Sequence, residues 1–174
     1  MKKILCFVIC VLMIFLLTAC FEGEPSKEVN TGSQGSSQNE SSGNEKFYLN
    51  ETAVFDNLKI TATKIEESSG KNYFEPKEGN VFVGVNFTIE NISSEVQTIS
   101  SLLLFEAYAD DIKCDYSISA VCAFDNSTLD GDLAAGKKMV GWYAVEVPKE
   151  WKGIEFEVKS SWLSNSSATF VFEK

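Results

Sequence analysis

The chain has 174 residues, with 15 Lys+Arg against 25 Asp+Glu and a formal charge of −10 at pH 7. That acidity excludes a nucleic-acid binder, which needs a positive surface to displace phosphate counterions. Histidine is absent, which removes the Ser-His-Asp and Cys-His catalytic constellations and the commonest metal ligand.

The N-terminus reads as an export signal. Met1-Lys2-Lys3 is a positive n-region, and Ile4 to Leu17 is an unbroken apolar run. At fourteen residues the run is too short for a membrane span, which needs about 18 or more, and suits an h-region. Leu17-Thr18-Ala19-Cys20 then has the form of a lipobox, with small residues before the cut and a cysteine to receive lipid. The expectation is a lipoprotein signal peptide over 1–19 and a diacylglycerol lipid on Cys20. Two acyl chains on one residue are enough for stable anchoring on the outer face of a bacterial cytoplasmic membrane. Lys2 and Lys3 are the only charges before Cys20, so the remainder carries −12.

Residues 20–46 are expected to form the lipidated end and a flexible linker. Ser, Gly, Asn, Gln and Glu dominate, and Val29 is nearly the only apolar residue after Phe21. Such a segment buries too little surface to fold. As a free coil its reach is about 25–30 Å, which would leave the domain free to reorient.

Residues 47–174 are expected to form one domain, built of strands. Leu58, Ile60 and Ala62 alternate with Lys59, Thr61 and Thr63. Val81, Val83, Val85, Phe87 and Ile89 alternate with Phe82, Gly84, Asn86, Thr88 and Glu90, and Asn91-Ile92-Ser93-Ser94 ends the strand. The run Leu102-Leu103-Leu104-Phe105 is expected to open a central strand. Met139, Gly141, Tyr143, Val145 and Val147 share one face before Pro148 stops the pattern. Ile154, Phe156 and Val158 follow, and Phe170 and Phe172 close the chain. No ten-residue window carries helical periodicity with caps. Short strands separated by Asn/Ser/Gly/Asp turns predict an all-β, antiparallel two-sheet sandwich.

Three segments carry a family resemblance. They are Leu49-Asn50-Glu51-Thr52 with Leu58-Lys59-Ile60-Thr61; Glu78 to Val85 running on to Thr88-Ile89-Glu90-Asn91-Ile92-Ser93; and Leu133-Ala134-Ala135-Gly136-Lys137 with Gly141 and Tyr143 to Lys149. The domain resembles the uncharacterised immunoglobulin-like domains of Gram-positive lipoproteins and secreted proteins. That family is related in fold to the immunoprotective extracellular protein and is sometimes mislabelled telomeric repeat-binding factor two. The resemblance implies an immunoglobulin-like sandwich in the cell envelope and no catalytic residue. Here Ala135 stands where the family often has proline, and an acidic, cysteine-containing stretch is inserted near 110–132. The telomere label conflicts with the lipobox and with the charge.

The candidate site residues fall in three groups. Cys114 and Cys122 remain after signal cleavage and lipidation, and an even pair in an exported domain can form a disulfide or stand as two small buried hydrophobes. Asp110, Asp111, Asp115, Asp125, Asp130 and Asp132 could gather around calcium, which takes six to eight oxygens; the alternative is solvated turns, with Asp130-Gly131 as a turn signal. Trp142, Trp151 and Trp162 could grip a sugar or a partner protein, or fill the core. No pair of acids stands out for catalysis. The expected function is a non-enzymatic, membrane-anchored surface lipoprotein that binds or assists an envelope protein. The alternative is a solute- or calcium-binding lipoprotein.

Overall fold

In a computed structural model, residues 25–27, 45–125, 127–164 and 166–174 are described. The alternating patterns become strands whose apolar faces meet between two sheets. One sheet holds β1 (Ser26–Lys27), β3 (Thr52–Val54), β4 (Leu58–Ser68), β5 (Asn80–Asn91) and β10 (Lys138–Pro148), in the order β1-β3-β4-β5-β10. The other holds β2 (Lys46–Phe47), β12 (Ser167–Glu173), β11 (Gly153–Lys159), β7 (Phe105–Ala109) and β8 (Ile112–Cys114), in the order β2-β12-β11-β7-β8. A two-stranded ribbon of β6 (Gln97–Ile99) and β9 (Gly131–Leu133) lies beside them. Among the described residues all strand pairs are antiparallel except β12 with β2. The fold is an antiparallel β-sandwich, as the periodicity predicts.

Phe87 is the hub of the core. Its ring lies 5.2 Å from Phe105, 5.4 Å from Phe170 and 6.2 Å from Phe156, each edge-on. Phe87 comes from the first sheet and the other three from the second, so these contacts clamp the two layers. Edge-on aromatic pairs add about 0.5–1.5 kcal/mol each beyond the apolar area they bury. Beyond Ala62 the register of β4 against β5 shifts by one residue, a bulge that keeps Ile65 packed on the core.

Three expectations need correction. Leu102 to Leu104 do not form a strand. Ser101–Leu104 is a single helical turn, α1, that buries Leu104 and leaves Leu102 and Leu103 exposed. The Asp130 carboxylate sets the turn by accepting from the Ser101 N–H (2.8 Å) and its hydroxyl (3.0 Å), which is capping by a residue distant in sequence. Ile118–Ala123 forms a second short helix, α2, where no helix was expected; the Ser117 hydroxyl caps it by accepting from Ala120 N–H at 3.1 Å. The segment 20–46 is not one continuous linker. Ser26 and Lys27 pair with Val54 and Ala53 at the edge of the first sheet. Pro25 is buried, and the Lys27 ammonium lies 2.9 Å from Glu51 and above the rings of Phe47 and Tyr48.

Helix α2 explains why β5 is buried on both faces. Ala120, Val121 and Ala123 pack with Phe82, Trp142 and Ala144 on the outer side of the first sheet, forming a second small core. Phe124 stacks on Trp142, with ring centres 4.6 Å apart. Gly84 leaves room for that ring: a Cβ there would lie 2.5 Å from Phe124 Cε2.

Candidate functional site

The sandwich is open along the side where β10 and β8 form the free edges of the two sheets. Tyr116 crosses this gap, bridging to Val145, and the Ser117 N–H donates to Ala144 O at 3.0 Å. Beside this crossing lies a cleft of about 610 Å³. Ala109, Cys114 and Tyr116 supply half-buried or buried walls, while exposed Ile112 and Ile118 rim it. Lys77, Lys113, Asp110, Asp115 and Glu146 place charges of both signs around the opening.

Local chemistry builds the cleft. Asp110 and Asp111 both have positive φ (48° and 66°), the backbone of a two-residue hairpin turn between β7 and β8. Asp110 then accepts from the Gly153 N–H (2.9 Å) and the Lys152 N–H (3.0 Å). Those two backbone donors, Gly153 first, hold its carboxyl below the usual range. Glu146 accepts from the Lys77 N–H (2.9 Å) and the Asn80 amide (2.7 Å), tying the β4–β5 loop to β10. Burial pushes up the pKa of the Cys114 thiol, so the thiol is protonated and a weak nucleophile at neutral pH. Burial also raises Tyr116 and, more strongly, Tyr143 behind it, whose hydroxyl donates to Phe105 O at 3.4 Å.

The acidic stretch disperses. Asp110 and Asp111 make the hairpin turn, and Asp130 caps α1. Asp132 accepts from Thr98 across the β6–β9 ribbon, and Asp125 accepts from the Ser127 N–H in its own turn. Asp115 lies at the cleft. Among the described residues no three His, Cys, Asp or Glu side chains converge to hold a metal. The calcium set is therefore corrected: its carboxylates do not converge, and backbone donors and hydroxyls take up Asp110, Asp125, Asp130 and Asp132.

The tryptophans separate as well. Trp142 and Trp151 are core residues, each about 5 % exposed or less, and Trp151 donates to Glu67 at 2.6 Å. Their place in an exposed binding patch is corrected; Trp162 alone of the three is exposed. Trp142 borders a second, smaller pocket of about 370 Å³ beside Phe124 and Asp125. Cys114 and Cys122 are both free thiols, one on β8 and one on α2, so the bridge is not present. Cys20 lies outside the described residues. Sequence reasoning did not single out Lys77, Asn80, Ile112, Tyr116, Ile118 or Glu146. They come from four separate segments, and only the topology brings them together.

Fold and cleft define a class: an antiparallel β-sandwich with a mixed-charge cleft at its open side. The chain belongs to the family described as "Domain of unknown function (DUF4352)", which matches residues 47–168. Among solved structures it is similar to a Bacillus subtilis protein described as a "putative lipoprotein", at 16% identity and TM-score 0.57, covering 68% of this chain and 37% of that one. This chain thus spans little more than a third of that protein's length. It is also similar to an uncharacterised β-sandwich protein of Clostridium difficile, at 15% identity and TM-score 0.53, covering 79% of this chain and 100% of that one. A conserved hypothetical protein of Bacillus anthracis matches at 17% identity and TM-score 0.50, covering 65% of this chain and 88% of that one. No curated protein matches the chain.

Proposed function

We propose that this chain is a lipid-anchored accessory module of the bacterial cell surface, with an immunoglobulin-like sandwich that binds an envelope protein at the β8–β10 cleft. The observation that carries the binding site is the cleft itself, where exposed Ile112 and Ile118 flank half-buried Tyr116 among charges of both signs. Exposed apolar residues rimmed by polar ones suit a protein contact. The lipobox at Leu17–Cys20 supports the anchoring, as does the likeness to a protein described as a lipoprotein. Binding is favoured over catalysis because Asp110 and Glu146 are already committed to backbone and amide donors. A carboxyl acting as general acid or base must be free to reach the proton it moves.

The test is photo-cross-linking on intact cells, with a photoreactive residue at Ile112 or Ile118 and a control at Glu157 on the outer face of the second sheet. A discrete protein adduct from the two cleft positions, missing from the control, is expected. Equal labelling from all three positions would remove the cleft as the binding site.

A further inference from the structure

The described chain shows where a lipid on Cys20 would hold the domain. Strand β1 runs antiparallel to β3, with Ser26 opposite Val54 and Lys27 opposite Ala53. The N-terminal end of β1, at Pro25 and Ser26, therefore lies at the end of the sandwich that carries the β3–β4 turn. Six positions separate Cys20 from Ser26, a span of at most about 20 Å.

That same end displays large apolar side chains. Trp162 and Leu163 are 67% and 72% exposed and sit at the tip of a turn closed by the Ser164 N–H to Ser161 O bond (3.2 Å). Turn tips normally carry small or polar residues. Val96 and Ile92, 60% and 40% exposed, lie in the neighbouring β5–β6 loop. Asn57 knits the three turns into one surface. Its side-chain amide donates to Gln97 Oε1 (2.9 Å) and Ser160 O (3.4 Å), and its backbone carbonyl accepts from the Ile92 N–H (3.0 Å). The β5–β6 loop is further held by Asn91, whose amide donates to Glu95 O (2.7 Å) and Leu133 O (2.8 Å).

We infer that this end of the sandwich docks on the lipid bilayer, with Trp162, Leu163, Val96 and Ile92 entering the membrane interface. The inference rests on the reading that Cys20 is lipidated. The short span from Cys20 to β1 supplies the geometry, and β1 fixes which end faces the lipid. Tryptophan suits the headgroup boundary, where an amphipathic ring finds both apolar and polar surroundings. These turns carry Asp56 and Glu95 beside Lys137, and the Lys159 ammonium faces Glu106 at 3.9 Å, so no surplus of positive charge is on offer and apolar insertion rather than attraction to anionic lipid makes the contact. The β8–β10 cleft opens near Pro148 and Asp110, toward the opposite end, and is left facing outward.

The test uses the full lipoprotein, purified from bacterial membranes and reconstituted into phosphatidylcholine/phosphatidylglycerol vesicles with and without acyl-brominated lipid. Trp142 and Trp151 are buried in the protein, so Trp162 dominates any change in quenching. Brominated lipid is expected to quench the emission of the parent protein by at least a third and to leave Trp162→Phe unquenched, while both float with the vesicles. Lys27→Glu, which places a second acid beside Glu51, is expected to lower the quenching without lowering flotation. Flotation with equal quenching in the parent and Trp162→Phe would overturn the docking and leave the anchor intact. An N-terminal peptide of unmodified mass, with no flotation, would overturn the anchoring reading and this inference with it.

Discussion

Two glycines on the first sheet are set by what stands over them. A Cβ on Gly141 would lie 2.6 Å from Thr128 O and 2.8 Å from its carbonyl carbon. That wall is backbone, held by the Trp142 N–H to Ser127 O bond (2.8 Å), and it cannot swing aside. A Cβ on Gly84 instead meets the rim of the Phe124 ring, a side chain that can rotate at the cost of its stacking on Trp142. Gly141→Ala is therefore expected to destabilise by about 2–3 kcal/mol and Gly84→Ala by about 1 kcal/mol. Urea unfolding followed by circular dichroism would measure both. A milder effect at Gly141 than at Gly84 would contradict the backbone-wall argument.

At the scale of elements, β1 is the least secured strand, with two residues paired and one ion pair, Lys27 to Glu51. Lys27→Glu should release it. Amide hydrogen exchange should then lose protection at Val54, the β3 residue opposite Ser26 whose N–H faces β1, while Ala53, β4 and β5 keep theirs, because local opening follows the weakest contacts. Unchanged exchange at Val54 would mean that the backbone pairing and buried Pro25 hold β1 without the Lys27 ion pair. The long strands were legible because the face toward the other sheet is apolar: Val81 to Ile89 and Tyr143 to Val147 line the main core at alternate positions as read, while α2 also covers Phe82, Trp142 and Ala144 on the other face. What escaped the sequence was everything fixed by remote partners. Helix α2 is too short to show a period, and it exists because Phe82, Trp142 and Ala144 wait opposite it. The turn at Leu102 depends on Asp130, and the strand at Ser26 on the free edge of β3. The cleft was illegible for the same reason, since Ile112, Glu146 and Lys77 have no common sequence signal.

At the scale of the whole molecule, four carboxylates stitch the sandwich at its seams. Glu67 on β4 accepts from Trp151 and pairs with Lys174 (2.8 Å) beyond β12, joining the two sheets. Glu106 joins β7 to β8 through Lys113 (3.0 Å), Asp110 joins the β7–β8 turn to the start of β11, and Glu51 joins the β2–β3 turn to β1. All four titrate below their ordinary range. At Glu67 the Lys174 ammonium is the main cause, at Glu106 the Lys113 ammonium, and at Asp110 the Gly153 N–H. At Glu51 burial pushes upward, but the Lys27 ammonium and the Tyr48 N–H together outweigh it. A carboxyl whose pKa is lower folded than unfolded binds fewer protons in the native state. Its contribution to stability is therefore complete above the unfolded value, about 4, and is lost as pH falls through the lower folded value. The urea midpoint should accordingly hold steady from pH 7 to about pH 5 and drop steeply below about pH 4. Glu67→Gln removes one seam's titration. The variant should be less stable than the parent at pH 7, and the gap should narrow as pH falls below about 4, the unfolded carboxyl value. A gap of constant size across that range would show that Glu67 acts through packing on Trp151 rather than through its charge.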